Sequence, residues 1–543
     1  MNLKKSRFIQ YVLLYTLLLV VLSMYDGINF YNLKEKLWLN NPINTIVFLT
    51  AYLGSIFFLL LSIVNKSKVV RYISYTLLFL FLSLSLSYTF INNYGFGRIE
   101  AETFLNEILF ASEAVSTYFW SGVCATGISV LFIVFLMFVN SKIKKTNTNY
   151  LVVIIFVIVC VYHLFSNTGA IAQRFCVFLK VPSSIYYASH NDLYKGERNN
   201  VDLSNNDIMS KNILFIVDES IRGDKLSINN DDLTITPFLK KIKDQIINYN
   251  IACSSTNKSA TSNLVLQVGI KDSLPNRKQE LLKTPNIFQY AKKSGYRTIF
   301  INSQESRQQN YGTKYDNKYI DSIIFVNKTF NDIKKFQRDF YALDCIKNLF
   351  NDSIPTFIYF NKYGSHFNYE TCYPKSEVIY SPVMKLGEFT DDKVKMENSY
   401  YNAIHWSVDK FFEKLISYNI QNNSTIVYTS DHGQNLLDDP NVKGTHCNVF
   451  NAVKYEGNVP MFIIERDSII SNKLNSVLLD NINNVQHKNI FPTMLILMGY
   501  KKEDVENIYG KSLFSSINRQ RRTFLSGDIF GKSELFKINT FKK

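Results

Sequence analysis

The chain has 543 residues and a formal net charge of +15, with a pI near 9.1. This length exceeds one ordinary domain and predicts two regions, whereas seven cysteines are too few for a disulfide scaffold. A basic chain could bind nucleic acid, but long apolar runs before residue 170 make anionic lipid or saccharide surfaces the expected neighbours, and we expect no nucleic-acid partner.

Five apolar stretches near the amino terminus are long enough to cross a bilayer, which takes roughly 20 helical residues. They are Phe8–Met24, Ile46–Val64, Val69–Ile91, Thr117–Val139 and Tyr150–Phe165. A cleavable signal peptide could mimic the first stretch, but the sequence that follows it has no small-residue cleavage site. We therefore predict an α-helical membrane domain of five transmembrane helices over residues 1–168.

Basic residues in the short loops predict the orientation of these helices. They cluster before the first span, between the second and third, and between the fourth and fifth. The clusters are Lys4, Lys5 and Arg7; Lys66, Lys68 and Arg71; and Lys142, Lys144 and Lys145. The loop from Asn92 to Ser116 is instead acidic. An internal amino terminus followed by five crossings would place everything after about residue 168 outside the cytoplasm.

The remaining chain predicts a linker and a globular domain. Residues 169–210 are polar and mixed, and we interpret them as a linker with an interfacial segment. Over residues 211–543, short apolar segments alternate with polar turns, which indicates an α/β domain with a mostly parallel sheet flanked by helices. Some of the cysteines in this part could pair in an oxidising compartment, although their spacing does not reveal partners.

The stretch Ile213 to Val217 is apolar and rich in β-branched residues, as expected of a central strand buried on both faces. Asp218 and Glu219 follow where this strand would end. In open α/β sheets, ligands bind in the crevice beyond the carboxyl ends of the strands. Glu219 is therefore a candidate metal ligand, although either acid could instead cap a following helix.

A second predicted strand ends near Cys253 in a hydroxyl-rich turn, and a helix could start near Ala260. The amino terminus of a helix favours a phosphate group because its backbone N–H groups and dipole are positive there. Six hydroxyl side chains in the turn are eligible nucleophiles, although most must be caps or solvated turn residues. They are Ser254, Ser255, Thr256, Ser259, Thr261 and Ser262.

Two further predicted strands end at candidate ligands. The strand from Thr356 to Asn361 leads to His366, and another strand leads to Asp431 and His432, with His446 on the next loop. Aspartate and histidine supply donors that Zn²⁺ accepts, and a structural Asp-His pair is the simpler alternative. Adjacent side chains of a strand point to opposite faces, so both can bind one ion only if the strand has ended.

Four predicted strand ends thus supply donors that could converge on one point. This combination suits metal-assisted phosphoryl or sulfuryl transfer. A metal ion would lower the proton affinity of a serine or threonine hydroxyl and neutralise the charged ester. A lone histidine on a helical segment, His405, is interpreted as structural or solvated.

These motifs resemble those of the membrane-bound phosphoethanolamine transferases, a branch of the alkaline phosphatase and sulfatase superfamily. The resemblance extends over nearly the whole chain, and its motifs occur in the family's order. The matches are Glu219-Ser220-Ile221-Arg222-Gly223-Asp224, Gly364-Ser365-His366, Ser430-Asp431-His432-Gly433, and a later histidine, His446.

The resemblance implies a zinc ion held by Glu219, Asp431, His432 and the nucleophile oxygen. His366 and His446 would lie nearby, for substrate binding, proton transfer or a second zinc.

The resemblance leaves the nucleophile between two residues. Ser259 fits the family's hydroxyl-Ala-x-Ser element, and Lys258-Ser259 also resembles the Lys-Thr of the related lipoteichoic acid synthases. If residues are counted from Cys253 instead, the nucleophile position falls closer to Thr256. We expect Ser259 to be the nucleophile. The family's usual disulfide at this turn cannot form locally, because the nearby partner cysteine is absent.

Three further residues are expected to contact substrate. Asn361 stands where the family has an additional histidine. Asn106 and Glu113 are the equivalents of lipid-contacting residues, and a carboxylate at Glu113 would suit an amine headgroup. A plain loop is the alternative interpretation of that segment.

The resemblance implies a zinc-dependent, ping-pong transferase. It would move phosphoethanolamine from phosphatidylethanolamine to lipid A, core oligosaccharide or another envelope glycan through a covalent Ser/Thr intermediate. We expect a multi-pass monomer in the bacterial inner membrane with a periplasmic catalytic domain. A phosphoglycerol transferase using phosphatidylglycerol and a non-catalytic envelope scaffold are the alternatives. A true sulfatase is disfavoured, because the Cys-x-Pro-x-Arg or Ser-x-Pro-x-Arg element that makes formylglycine is absent near residue 259.

Overall fold

The computed structural model divides into two compact units, Met1–Asp192 and Leu193–Lys543. It describes residues 2–26, 42–92, 95–97, 100–101, 104–105, 118–147, 175–190, 197–272, 278–304, 316–329, 333–350, 352–386, 388, 390–439, 442, 444–448, 451–517, 522–527, 529–530 and 533–538.

The helices described in the first unit are α1 (Asn2–Tyr25), α2 (Pro42–Ile63), α3 (Lys68–Asn92), α4 (Phe119–Ser141) and α5 (Val177–His190). Helices α1, α3 and α4 are long and apolar enough to cross a membrane, whereas α2 contains a shorter apolar segment, Phe48–Ile63. Three of the five predicted spans are therefore helices of spanning length. The fifth, Tyr150–Phe165, lies outside the described residues, as do Asn106 and Glu113.

A buried carboxylate connects three helices of the first unit. Asp26, directly after α1, accepts hydrogen bonds from Tyr52 Oη of α2 at 3.0 Å and from the backbone N–H of Val177 at 3.1 Å. The ammonium group of Lys180 lies 3.6 Å from the other carboxylate oxygen. These contacts fix the start of α5 against the end of α1 and the middle of α2, so part of the predicted linker is a helix packed within this unit.

The second unit is built on a seven-stranded sheet. Its strands are β1 (Asn212–Asp218), β2 (Ile247–Cys253), β3 (Arg297–Asn302), β4 (Ser322–Phe325), β5 (Thr356–Asn361), β6 (Thr425–Ser430) and β7 (Asn458–Ile464). The spatial order is β2-β7-β6-β1-β5-β3-β4, and β7 is antiparallel to both of its neighbours whereas the other pairs are parallel. The sheet is therefore mixed, with one reversed strand in an otherwise parallel arrangement.

Helices cover the sheet, and a separate hairpin follows it. The helices are α6 (Pro237–Lys241), α7 (Ser259–Val268), α8 (Ile287–Lys293), α9 (Val326–Thr329), α10 (Arg338–Leu349), α11 (Lys393–Ile404), α12 (Phe411–Ser417), α13 (Ser468–Asn475), α14 (Leu478–Asn481), α15 (Ile490–Leu497) and α16 (Lys502–Tyr509). A π-helical turn, His405–Lys410, joins α11 to α12. The hairpin consists of β8 (Arg522–Gly527) and β9 (Ser533–Ile538).

Strand β1 lies in the middle of the sheet, as the sequence predicts. Ile213, Phe215 and Val217 belong to one buried apolar cluster, whereas Leu214 and Ile216 belong to the cluster on the opposite face. This alternation follows from the two-residue period of a strand, and burying each such side chain contributes roughly 1.5–3 kcal/mol. A continuous apolar run is therefore stable only at a position covered by helices on both faces.

The register of the sheet brings the predicted site residues to one edge. Asp218 pairs with Ser430 of β6, and Val217 pairs with Asn361 of β5. Because these parallel strands end at the same level, the residues after them converge.

Asp218 is neutralised by a buried lysine rather than directed into the crevice. Its Oδ2 accepts hydrogen bonds from Lys362 Nζ at 2.6 Å and from Tyr428 Oη at 2.8 Å, and its Oδ1 accepts the N–H of Glu219. Lys362 is fully buried and lies 4.0 Å from the ring centroid of Phe411. Burial raises the pKa of Asp218 to about 6, although the ammonium group opposes that shift.

We predict that Lys362→Met destabilises the protein by about 3–5 kcal/mol, because it leaves the Asp218 carboxylate buried without its cation. Denaturant unfolding of the full-length protein in detergent would measure the effect. Lys473→Met removes an exposed lysine of α13 and is the matched control, with little expected change. Equal unfolding midpoints for both variants would contradict the assignment.

Candidate metal centre

Three side chains form a buried cluster at the carboxyl edge of the sheet. Glu219, Asp431 and His432 each offer one ligand atom, and these atoms lie within 4.8 Å of one another. His432 Nε2 is 3.6 Å from Glu219 Oε1 and 3.5 Å from Asp431 Oδ2. Two carboxylates and one imidazole are a donor set that zinc and similar divalent ions accept.

Asp431 and His432 can share one ion because β6 ends at Ser430. The strand alternation therefore no longer separates their side chains. Asp431 Oδ1 accepts the backbone N–H groups of Ser220 at 3.0 Å and His432 at 2.7 Å. Its Oδ2 is buried and has no hydrogen-bond partner among the residues that the structure describes. Buried polar atoms are normally satisfied, so an unpartnered oxygen facing His432 and Glu219 fits a metal ligand.

Glu219 is held by a tight turn. Ser220 has a positive φ of 64° and donates its hydroxyl to Glu219 Oε1 at 2.6 Å, and Gln304 donates to Oε2 at 2.9 Å. The turn after β5 approaches this segment closely at Gly364. A Cβ there would lie 2.4 Å from Asp218 Oδ1 and 2.7 Å from the nitrogen of Glu219, so only glycine fits.

Ser259 is the first residue of α7 and reaches the cluster. Its Oγ is 3.1 Å from His432 Nε2 and 3.3 Å from Glu219 Oε2. His432 Nδ1 lies 2.8 Å from the carbonyl oxygen of Gly433, so Nε2 is the ring nitrogen that faces Ser259 and the carboxylates. The hydroxyl thus lies at a helix amino terminus, where a phosphate group is favoured.

Thr256, the alternative nucleophile, is engaged within its own turn. The residue is fully buried, and its hydroxyl is 2.7 Å from Thr261 Oγ1 and donates to the carbonyl oxygen of Lys258 at 3.0 Å. The geometry therefore groups Ser259, rather than Thr256, with the candidate ligands.

The two additional histidines lie on the loops that border the cluster. The ring of His446 stacks on His432, with centroids 4.3 Å apart and an interplanar angle of 26°. Burial, followed by the nearby His432 and His366, lowers the pKa of His446 well below its ordinary value. The ring of His446 is therefore neutral at physiological pH.

Asn361 is the last residue of β5 and contacts the neighbouring strand β3. Its side chain is buried between strands and donates to Asn302 Oδ1 at 3.2 Å. This hydrogen bond joins the ends of two adjacent strands, and a contact of Asn361 with substrate stays a prediction.

Two residues in the site region are absent from the sequence predictions. Gln304 follows β3 by two residues, so the strand-end argument applied to β3 could have found it. His487 bridges two segments, because its Nδ1 accepts the N–H of Ser255 at 3.2 Å and its Nε2 donates to the carbonyl oxygen of Ser430 at 2.9 Å. No local sequence signal distinguishes it from a core histidine.

The cluster is electrostatically costly without a cation. Burial raises the pKa of Glu219, and burial together with the neighbouring Glu219 raises the pKa of Asp431 to about 7. Both carboxylates would ionise fully once a metal ion neutralised them.

A family model and two curated relatives match this chain. The sulfatase family model matches residues 211–500, more than half of the chain. The Kdo(2)-lipid A phosphoethanolamine 7''-transferases of Salmonella typhimurium and Escherichia coli are each 23% identical to this chain, over 300 and 304 residues. The chain spans about half the length of these curated relatives, 51% and 52%, and the matches cover 53% and 54% of this chain.

Two solved structures share the fold. The integral membrane protein lipooligosaccharide phosphoethanolamine transferase A from Neisseria meningitidis matches with a TM-score of 0.61 and 17% identity, covering 91% of this chain and 98% of that chain. The C-terminal periplasmic domain of EcEptC from Escherichia coli, solved in complex with Zn, matches with a TM-score of 0.51 and 17% identity, covering 63% and 96%.

We predict that Glu219→Gln weakens the binding of a divalent metal ion. Loss of a residue that only supports a metal ligand lowers the affinity roughly 10- to 100-fold, and loss of a ligand itself should lower it further. The variant keeps the size of the side chain but removes one negative charge. Elemental analysis after dialysis against graded chelator would measure the affinity. Glu503→Gln, an exposed change of the same type, is the control, and equal metal content in both variants would count against the site.

We also predict that Asp431 makes the metal-free protein less stable as pH rises from about 4 to about 7. Its pKa is raised in the folded state, so the folded chain binds more protons than the unfolded chain in this window. The midpoint temperature of thermal unfolding, measured after chelation, should therefore fall more steeply with rising pH in the native protein than in Asp431→Asn. Parallel curves for the two proteins would refute this prediction.

Proposed function

Because this chain belongs to the sulfatase family, we propose that its cluster of Glu219, Asp431, His432 and Ser259 performs metal-assisted transfer of a phosphate ester group. The enzyme is a zinc-dependent phosphoethanolamine transferase in this proposal. The observation that carries it is the position of the Ser259 hydroxyl, within 3.3 Å of both a carboxylate and an imidazole at the start of a helix. The names of the curated relatives and the Zn complex of a structural neighbour support the choice of group and metal.

The first half-reaction transfers the group to the protein. Glu219, Asp431 and His432 would hold the zinc ion, which would lower the pKa of the serine hydroxyl and neutralise the phosphate charge. The Ser259 oxygen forms a bond to the phosphorus of phosphatidylethanolamine, and the bond from phosphorus to the diacylglycerol oxygen breaks. Diacylglycerol leaves with a proton, and a phosphoethanolamine ester stays on Ser259.

The second half-reaction transfers the group to an acceptor hydroxyl or phosphate. His446, whose ring stacks on His432, takes the proton from the acceptor as the acceptor oxygen attacks phosphorus. The bond from phosphorus to the Ser259 oxygen breaks, that oxygen takes up the proton from His446, and the serine hydroxyl is regenerated. His366 lies on the turn after β5 and is assigned to binding of the phosphate group.

The acceptor in this proposal is lipid A or another saccharide of the envelope. The names of the curated relatives support lipid A, and the apolar helices α1, α3 and α4 support a membrane location near both lipids. We propose that the chain lies in the bacterial inner membrane as a monomer with its second unit in the periplasm. The basic loop clusters are the reason for this orientation.

We predict that incubation with phosphatidylethanolamine labels Ser259, and that Ser259→Ala abolishes both the label and transfer to lipid A. Peptide mass spectrometry would locate the ester. Ser468→Ala, which removes an exposed hydroxyl at the start of α13, is the control and should retain the label.

The donor is tested in the same experiment with phosphatidylglycerol in a parallel sample. A phosphoglycerol adduct in place of the phosphoethanolamine adduct would replace the proposed donor. A label on Thr256 would overturn the choice of nucleophile. Normal envelope modification in cells that carry folded Ser259→Ala would indicate a scaffold instead.

A further inference from the structure

The turn before Ser259 is held by segments that are far apart in sequence. It connects β2 to α7, and the loop of His446, the turn at Glu456 and the hairpin β8–β9 all bind to it. Each of these segments makes hydrogen bonds to the turn, and these bonds fix the position of the hydroxyl that reaches the cluster.

Asn257, two residues before Ser259, is the centre of these contacts. The residue is fully buried, and its backbone N–H donates to the carbonyl oxygen of Leu525 at 3.2 Å. Its carbonyl oxygen accepts the N–H of Cys447 at 3.1 Å. The side-chain Oδ1 accepts the N–H of Gly527 at 2.6 Å. One residue thus links the turn to the hairpin and to the loop of His446.

The side-chain amide nitrogen of Asn257 makes two further hydrogen bonds. It donates to Glu456 Oε2 at 2.6 Å and to the carbonyl oxygen of Asn448 at 3.0 Å. The other oxygen of Glu456 accepts from the side chain of Asn448 at 2.8 Å, and the Glu456 carbonyl accepts the N–H of Gly433 at 2.9 Å. Glu456 therefore fixes the turn relative to the residue that follows His432.

The hairpin adds a second contact beyond the region matched by the family. The N–H of Leu525 donates to the carbonyl oxygen of Ser255 at 2.9 Å, so β8 forms a short parallel bridge with the turn. The side chain of Leu525 packs with Leu264 and Val265 of α7. The hairpin thus supports both the turn and the helix that begins at Ser259.

We propose that Asn257 is a positioning residue, which together with Glu456 and the hairpin β8–β9 holds the Ser259 hydroxyl against the candidate metal ligands. This inference rests on the proposed function, because it assigns the contacts to the chemistry of Ser259. Asn257 itself does not touch the reacting atoms in this assignment.

The test uses a reciprocal exchange in the full-length protein. Asn257→Asp keeps the shape of the side chain but places a carboxylate oxygen against Glu456, where an amide donor is needed. We expect the rate of ester formation on Ser259 to fall by about 10- to 100-fold, with an unchanged half-saturating donor concentration and unchanged metal content. Asn472→Asp, the same change at an exposed position of α13, is the control.

The double variant Asn257→Asp with Glu456→Gln restores a donor and an acceptor between the two side chains. We expect it to recover about 10-fold of the lost rate, but not all of it, because the contact with the carbonyl oxygen of Asn448 stays unfavourable. A general loss of packing would not be repaired by this exchange. Native rates in Asn257→Asp, or equal losses in the folded single and double variants, would overturn the proposal.

Two measurements keep the outcome interpretable. If circular dichroism shows that Asn257→Asp does not fold, the single variant Glu456→Gln decides the question. A native rate of ester formation in Glu456→Gln contradicts the proposal, and a reduced rate at native metal content supports it. If the native protein forms no ester, the proposed function fails, and hydrogen exchange of residues 253–262 tests the contacts independently. Faster exchange there in Asn257→Asp than in the double variant supports them, and equal exchange contradicts them.

Discussion

The burial of two carboxylates beside one another is the constraint on which the site depends. Glu219 and Asp431 lie beneath the surface at the ends of β1 and β6, and the pKa of each is raised. Within the described part of the chain, the His432 imidazole lies within 3.6 Å of both carboxylates, and a neutral imidazole does not replace a cation. A divalent ion bound by these groups would remove the cost of desolvation and use the negative charge that the fold concentrates there.

Asp218 and Glu219 are adjacent buried acids whose carboxylates have different kinds of partner. Asp218 has a buried lysine and a tyrosine hydroxyl as partners, so its charge is neutralised within the fold. Glu219 turns away at the positive φ of Ser220 and meets hydroxyl and amide donors instead. The difference depends on which neighbouring strand each side chain faces. A sequence pattern that records only two consecutive acids cannot distinguish these roles.

Positioning of the Ser259 hydroxyl, the proposed nucleophile, adds a second requirement. A hydroxyl within hydrogen-bonding distance of a ligand must be held to a fraction of an ångström, and a turn between two elements cannot achieve this alone. The contacts of Asn257 supply that rigidity from three other segments. All three lie about 190 to 270 residues later in the chain. The turn is therefore stable only after most of the second unit has folded, which couples the site to the completed tertiary structure.

The sequence by itself determined the division into apolar helices and an α/β domain, because hydropathy and strand periodicity are local properties. It also determined the central strand β1 and the candidate ligands Glu219, Asp431 and His432, since an acid or histidine at a strand end follows from the strand itself. Only the tertiary structure grouped Ser259 rather than Thr256 with these ligands, placed Asn361 within the sheet edge, and assigned Gln304, His487 and Asn257 to the site region. The physical reason is that these roles are hydrogen bonds between distant segments, and their partners are set by the order and register of the strands.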